Sequence, residues 1–241
     1  MGDAENMRTF NRILAISDIH GENDKLIALL KKTEYDPVSD LLIICGDLID
    51  RGTQNLATIQ TCKKLQQQGA IVLKGNHEQF ASECILDMVL ERPSEALQVW
   101  VGHNGGNCTY DELVTLSKNE LGDLLSFMRR LPLYFAIGDY IFVHAGVNSK
   151  KPIEENKEND LVWCEDSFYY CPAYKGKTVI FGHIPTFLLS TPKNRKDKAY
   201  RQGAKVWRDP LNNDKIGIDC GSVFGGRLAA LELPSGRAFY V

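Results

Sequence analysis

The sequence has no long apolar run. Its longest, DLLIICGDLI, is broken by Asp47 and falls far short of the roughly 20 residues that span a bilayer. The first ten residues, MGDAENMRTF, lack the basic start and apolar core of a secretory signal. Asn6 stands where a myristoylation site needs serine or threonine. Residues 1–10 are therefore expected to be a disordered lead-in. No CxxC pair occurs among Cys45, Cys62, Cys84, Cys108, Cys164, Cys171 and Cys220, and their number is odd. That excludes a zinc ribbon and argues against a disulfide framework, leaving reduced, packed thiols of a cytoplasmic protein. Excess basic charge is missing as well. A net charge of −3 and a pI near 6.0 argue against a protein that coats nucleic acid. No repeat or low-complexity tract appears. No cysteine or serine sits in a nucleophile motif.

What is present is an ordinary soluble composition in 241 residues, 44% hydrophobic and 24% charged. It can bury a large core, and α/β enzymes of this length often form one unit. RILAIS (12–17), DLLIIC (40–45) and AIVL (70–73) read as buried strands. Helical patterns follow each, over 23–35, 55–69 and 77–90. A β-α-β-α-β-α order predicts a largely parallel sheet. PSEALQVW and KNELGDLLSFMRRLP read as helices around GHNGGN, a helical insert at about 91–131. After Pro132 the pattern is β-rich. LYFAIG and YIFVHAG join through Gly-Asp, a hairpin. TVIFGH, KIGIDC, LAALEL and RAFYV follow as short strands of a second, antiparallel or mixed sheet. EENKEND and KNRKDKAYR read as solvated loops.

Histidine is scarce. There are five, and four fall in segments with one grammar: an apolar strand, then ligand-type residues at its C-terminal end. The segments are AISDIHG (Asp18, His20), IICGDLIDRG (Asp47, Asp50, Arg51), VLKGNHE (Asn76, His77), IFVHAG (His144) and VIFGHIPT (His183). Sites in α/β sheets form beyond the carboxyl ends of strands. Asp18 and His20, two apart, point the same way on an extended chain. Taken singly, each residue is an ordinary hydrogen-bonded strand end. Five such ends in order imply one shared site. Carboxylate, imidazole and carboxamide without thiolate suit Mn, Fe or Zn rather than calcium or a structural zinc.

DIHG, GDLIDRG, GNHE, HAG and GH, in this order, resemble the calcineurin-like metallophosphoesterase superfamily. GDxxDRG followed by GNHE is similar to its bacterial and phage phosphoprotein phosphatase branch. HNGGNCTY resembles the family's helical insert, and IGIDCGSVFGGRLAALEL its terminal sheet strand. The resemblance runs from residue 18 to about 233. It implies one metallophosphoesterase domain over 11–241. The implied fold is a four-layer α/β/β/α sandwich of two mixed sheets flanked by helices, with a dimetal site at strand C-terminal ends. Carried over by position, Asp18 and His20 would hold one divalent ion. Asp47 would bridge both. Asn76, His144 and His183 would complete the second. Asn76 would also face the substrate phosphate. His77 would be the general acid, with Asp50 hydrogen-bonded to it, and Arg51 would hold the phosphate. Manganese is expected, with Fe or Zn also suited.

The chemistry needs these types. Two ions a few ångströms apart activate a bridging hydroxide, so no protein nucleophile is required. Two ions (+4), Asp18 and Asp47 (−2) and the hydroxide leave about +1, because Asn76 is neutral; that favours a phosphate dianion. A histidine beside a carboxylate has its protonated form favoured, which suits His77 as acid. Arg51 offers a planar fork to phosphate oxygens. One departure stands out: relatives of this branch carry an arginine shortly after a tryptophan in the middle segment. Here LVWCEDSFYY places Glu165 or Asp166 after Trp163, with Arg195 and Arg201 as distant replacements. His103 is expected merely to cap the insert. The expected function is a serine/threonine-type phosphomonoesterase acting on a phosphorylated protein or small phosphoester. The alternative is a symmetrical diadenosine tetraphosphate hydrolase. A scaffold without turnover and a nuclease or phosphodiesterase are further alternatives. No membrane or nucleic-acid partner is expected.

Overall fold

The computed structural model describes residues 10–190 and 198–241. The lead-in over 1–9 and Arg195 in the basic loop lie outside them. Strands β1 (Arg12–Ile16), β2 (Asp40–Ile44) and β3 (Ile71–Val72) alternate with helices α1 (Asn23–Lys32), α2 (Asn55–Gln67) and α3 (Asn76–Val89). Helices α4 (Glu95–His103), α5 (Asn107–Leu113) and α6 (Lys118–Arg130) follow. Then come β4 (Tyr134–Ile137), β5 (Tyr140–Val143), α7 (Glu158–Val162), β6 (Thr178–Phe181), α8 (Thr186–Ser190) and α9 (Lys198–Gln202). Strands β7 (Trp207–Arg208), β8 (Lys215–Gly217), β9 (Ala229–Leu233) and β10 (Ala238–Tyr240) end the chain.

The strands form two mixed sheets, ordered β10-β9-β1-β2-β3 and β4-β5-β6-β8-β7. Strand alternation explains the layering. Leu14, Ile16, Leu42 and Ile44 face a helical layer, while Ala15, Leu41 and Ile43 face the second sheet, against Phe142, Ile180 and Ile216. In the second sheet Ile141, Val143, Val179 and Phe181 point outward, against Leu161 and Phe168. The central strands β1, β2, β5 and β6 are therefore apolar on both faces, as the continuous runs implied. The outer layer there is thin, built from α7 and short 3₁₀ turns. Burying each Leu or Ile in these layers contributes on the order of 1.5–3 kcal/mol.

Several expectations need correction. Strands β9 and β10 belong to the first sheet, not the second: β9 runs antiparallel to β1, pairing Leu14 with Glu232. The first sheet is thus mixed rather than largely parallel. EENKEND is not only solvated loop, since Glu158 to Asp160 start α7. KNRKDKAYR contributes its last residues to α9. Helix α5 and strand β7 had no clear pattern. Both hairpin turns stand where expected, with Gly138 (φ 55°) between β4 and β5 and Gly236 (φ 72°) between β9 and β10. Cys45, Cys62, Cys84 and Cys220 are buried; Cys171 is exposed. Among the described residues no helix is long and apolar enough to cross a membrane.

Candidate dimetal active site

The five strand-end segments meet at one place. Asp18, His20, Asp47, Asp50, Asn76, His77 and His144 are all buried, and His183 nearly so. Donor atoms of His20, Asp47 and His77 lie within 4.8 Å of one another, and so do those of Asp47, His144 and His183. Asp47 is common to both groups. Asp18 lies beside the first, its Oδ1 4.0 Å from His20 Nε2.

The backbone is bent to achieve this. Six of the ten non-glycine residues with positive φ among the described residues are Asp18, His20, Asp47, Asp50, Arg51 and His183. Such conformations cost of order 1–3 kcal/mol each and persist where the surroundings fix them. Glu78, on the first turn of α3, is one such fixture. Its carboxylate accepts from the amides of Asp47 (2.9 Å), Leu48 (2.8 Å) and Gly75 (2.9 Å). Gly75 is required beside it, since a Cβ there would lie 2.2 Å from Asp47 Oδ1.

The donor set fits two cations. His144 Nδ1 lies 2.8 Å from the Cys45 carbonyl, so that nitrogen carries the proton. The Nε2 lone pair then faces Asn76 Oδ1 at 2.8 Å, His183 Nδ1 at 3.2 Å and Asp47 Oδ1 at 3.4 Å. With His183 Nδ1 unprotonated, these electron pairs converge on one point and suit a cation among them. His20 repeats the pattern. Its Nδ1 meets the Ile49 carbonyl at 2.8 Å, and its Nε2 looks toward Asp47 Oδ2 at 3.6 Å. The Arg51 guanidinium supplies a positive charge there, touching His20 Nε2. These carbonyl-oriented imidazoles are what metal ligands require.

Burial sets the protonation. It lowers His20 and His144, and lowers His183 to about 3. It raises Asp18, and raises Asp47 well above the usual carboxylate range, with Asp18 and Glu78 adding repulsion. These three histidines therefore offer lone pairs, and the acids are held against their charge.

His77 Nδ1 is 2.6 Å from Asp50 Oδ2, as the sequence suggested. Its protonated form is nonetheless not favoured: burial, then Arg51 and His144, lowers it well below the ordinary value. Asp50 itself is shared with other donors. Trp100 Nε1 donates to its Oδ2 (2.7 Å) and Thr109 to its Oδ1 (2.5 Å), and burial raises it to about 6. His77 Nε2 is buried without a hydrogen-bond partner, 3.9 Å from Asp47 Oδ2.

Sequence reasoning missed Trp100, Thr109, Glu78 and Asp219. The insert motif GHNGGNCT contains one of them, Thr109, but nothing local in it points to Asp50. Gly105 (φ 80°) accepts from the Arg51 amide at 2.8 Å and leaves room for that side chain, where a Cβ would sit 2.7 Å from Arg51 Cγ. Asp219 follows β8, is buried, and is raised by burial and by Asp18. His103 is exposed at the end of α4, away from the cluster. Trp163 does reach the site, edge-on to His183 with ring centroids 5.8 Å apart. Its Nε1 donates to Gln79 (2.7 Å). The residues after it are Cys164, Glu165 and Asp166.

A model of the calcineurin-like phosphoesterase family matches residues 11–220. A symmetrical bis(5'-nucleosyl)-tetraphosphatase of Dechloromonas aromatica is 35% identical over 133 residues, covering 55% of this chain and 43% of that protein. The chain thus aligns with less than half the length of that relative. An asymmetrical bis(5'-nucleosyl)-tetraphosphatase of Bacillus velezensis is 29% identical, covering 91% of this chain and 88% of that one. A crystal structure assigned as a diadenosine tetraphosphatase superposes with a TM-score of 0.67 at 21% identity, over 98% of this chain and 94% of that one. That likeness concerns the fold alone. The chain belongs to the calcineurin-like phosphoesterase family.

Proposed function

We propose that the protein is a metal-dependent phosphohydrolase whose preferred substrate is a dinucleoside polyphosphate such as diadenosine tetraphosphate. Hydrolysis is supported by two lone-pair clusters that share Asp47, next to the unpartnered Nε2 of His77. The substrate choice is carried by one observation. The stretch after Trp163 supplies Cys164, Glu165 and Asp166, so Arg51 is the arginine in contact with the cluster among the described residues. A phosphorylated side chain presents one phosphoryl group to that single fork, whereas a polyphosphate chain carries further anionic oxygens for it to meet. The relatives named above as tetraphosphatases support the same choice.

Asp18, His20, Asp47, Asn76, His144 and His183 are assigned as metal donors, with manganese favoured and iron or zinc also suited to the set. When bound, two such ions supply an activated water and neutralise phosphoryl charge. Arg51 binds the phosphate from the His20 side. Asp50 holds the Nδ1 proton of His77, which fixes the ring and aims Nε2 into the site. His77 gains its second proton when the anionic substrate arrives, because the phosphate charge stabilises the imidazolium that burial otherwise disfavours. It then passes the Nε2 proton to the leaving oxygen.

The serine/threonine phosphatase reading rests on GDLIDRG and GNHE. Turnover of diadenosine tetraphosphate against a phosphoserine or phosphothreonine peptide, both with Mn²⁺, separates the two. Preference for the dinucleotide is expected; preference for the peptide overturns the proposal. Absence of turnover of diadenosine tetraphosphate, the phosphopeptides and p-nitrophenyl phosphate alike, in every divalent metal, would leave only a scaffold.

A further inference from the structure

A groove of about 540 Å³ opens beside the cluster. His183 and Arg51 wall its inner end, and Pro185, Phe187, Arg201 and Phe224 line the rest. Phe224 ends the 3₁₀ turn Ser222–Phe224, which lies between two left-handed glycines, Gly221 (φ 69°) and Gly225 (φ 83°). The ring is 40% exposed. Arg51 covers it from one side, its guanidinium carbon 5.0 Å from the ring centre. Arg201 stands similarly over Phe187, at 5.6 Å. Neither metal binding nor proton transfer uses Phe224.

Phe187 is itself buried beneath Arg201. One half-exposed ring, Phe224, and two guanidinium groups in one groove, opening onto a phosphate site, have a definite complement. It is a planar ring with an anionic tail. Aromatic side chains take bases by stacking, tolerant of sequence because every base has a π-face, and arginine adds cation–π attraction. The volume falls within the roughly 300–1,000 Å³ of small-molecule pockets. An aliphatic phosphopeptide backbone would leave the exposed Phe224 face unmatched.

We propose that this groove is a nucleobase subsite, with Phe224 as its stacking face and Arg51 joining it to the phosphate site. The assignment rests on the reading that the substrate carries nucleosides. The base lies against Phe224, and its 5'-phosphates run past Arg51 to the His183 side of the cluster.

The test is calorimetric titration of the manganese-loaded protein with AMP and with inorganic phosphate. AMP is expected to bind wild type more tightly than phosphate. Phe224→Ala should remove about tenfold of the AMP affinity, the scale of one lost base stack, with phosphate affinity held within about twofold. Phe224→Trp keeps a ring at the turn and should retain AMP binding. Equal affinity for AMP and phosphate in wild type, or a parallel loss of both in Phe224→Ala, overturns the subsite. Tight, ring-dependent AMP binding without turnover of diadenosine tetraphosphate would leave the subsite standing and overturn the proposed function. Turnover of the dinucleotide with ring-independent AMP binding would do the reverse.

Discussion

The two ends of the first sheet handle charge in opposite ways. At the N-terminal end of β1, Arg12 donates to Asp40 (3.0 Å), to Glu232 (2.8 Å) and to the Thr33 carbonyl (2.7 Å). Arg237 adds a second guanidinium to Glu232 at 2.8 Å. Protonation there favours charge: the Asp40 hydrogen bond raises Arg12, and Ser235, then Arg237, holds Glu232 down to about 2. At the C-terminal end the same strands deliver Asp18 and Asp47. Burial there pushes acids up and histidines down. One end closes its charges on one another, and the other gathers neutral histidines around buried acids held against their charge. The difference separates a stabilising cluster from a working one within the length of one strand.

Asp47→Asn should break the comparison most completely. It removes the carboxylate common to both donor groups. Metal affinity should fall by more than the roughly 100-fold seen when a metal's outer partners are lost, and turnover with it. Calorimetry and a phosphatase assay measure the two losses. His77→Asn should lower kcat by about 10²–10⁴ while both ions stay bound, most severely with poor leaving groups. His77 lies within 4.8 Å of the His20–Asp47 donors, so release of an ion by this variant would reassign it as a ligand. Arg12→Ala acts at the other end. It leaves Asp40 buried without its main partner and should cost about 3 kcal/mol in urea unfolding, with metal affinity of the folded protein unchanged.

The smallest effect concerns pH, and its sign differs between the ends. Asp50 is raised from 3.8 to about 6. Its contribution is therefore complete below pH 3.8 and is lost as pH rises through 6. Glu232 is lowered from 4.5 to about 2. Its contribution is present above 4.5 and is lost as pH falls toward 2. In metal-free protein, Asp50→Asn should gain melting temperature relative to wild type from pH 4 to 6. Glu232→Gln should lose its deficit between pH 4.5 and 2. Parallel slopes for the two variants would erase the contrast.

The working end was legible because short apolar strands end abruptly in Asp, Asn and His, and backbone alternation aims them. The first three βα units and both hairpins were legible for the same reason, since period and turn chemistry are local. Pairing partners are not local. Nothing within LAALEL or RAFYV says that β9 lies against β1, over 200 residues away, rather than beside β8. Trp100 and Thr109 were hidden likewise: a tryptophan in an amphipathic helix reads as core, and only the folded insert brings its indole to Asp50. The proton state of His77 was misread because the pair with Asp50 is visible in sequence, whereas its burial is not.

The most direct measurement is a titration of Mn²⁺ into metal-free wild type and Asp47→Asn, followed by calorimetry. Wild type should take up two equivalents, as a shared carboxylate between two ions requires, and Asp47→Asn should lose affinity for both. Uptake of a single equivalent by wild type, or equal uptake by the two proteins, would contradict the account.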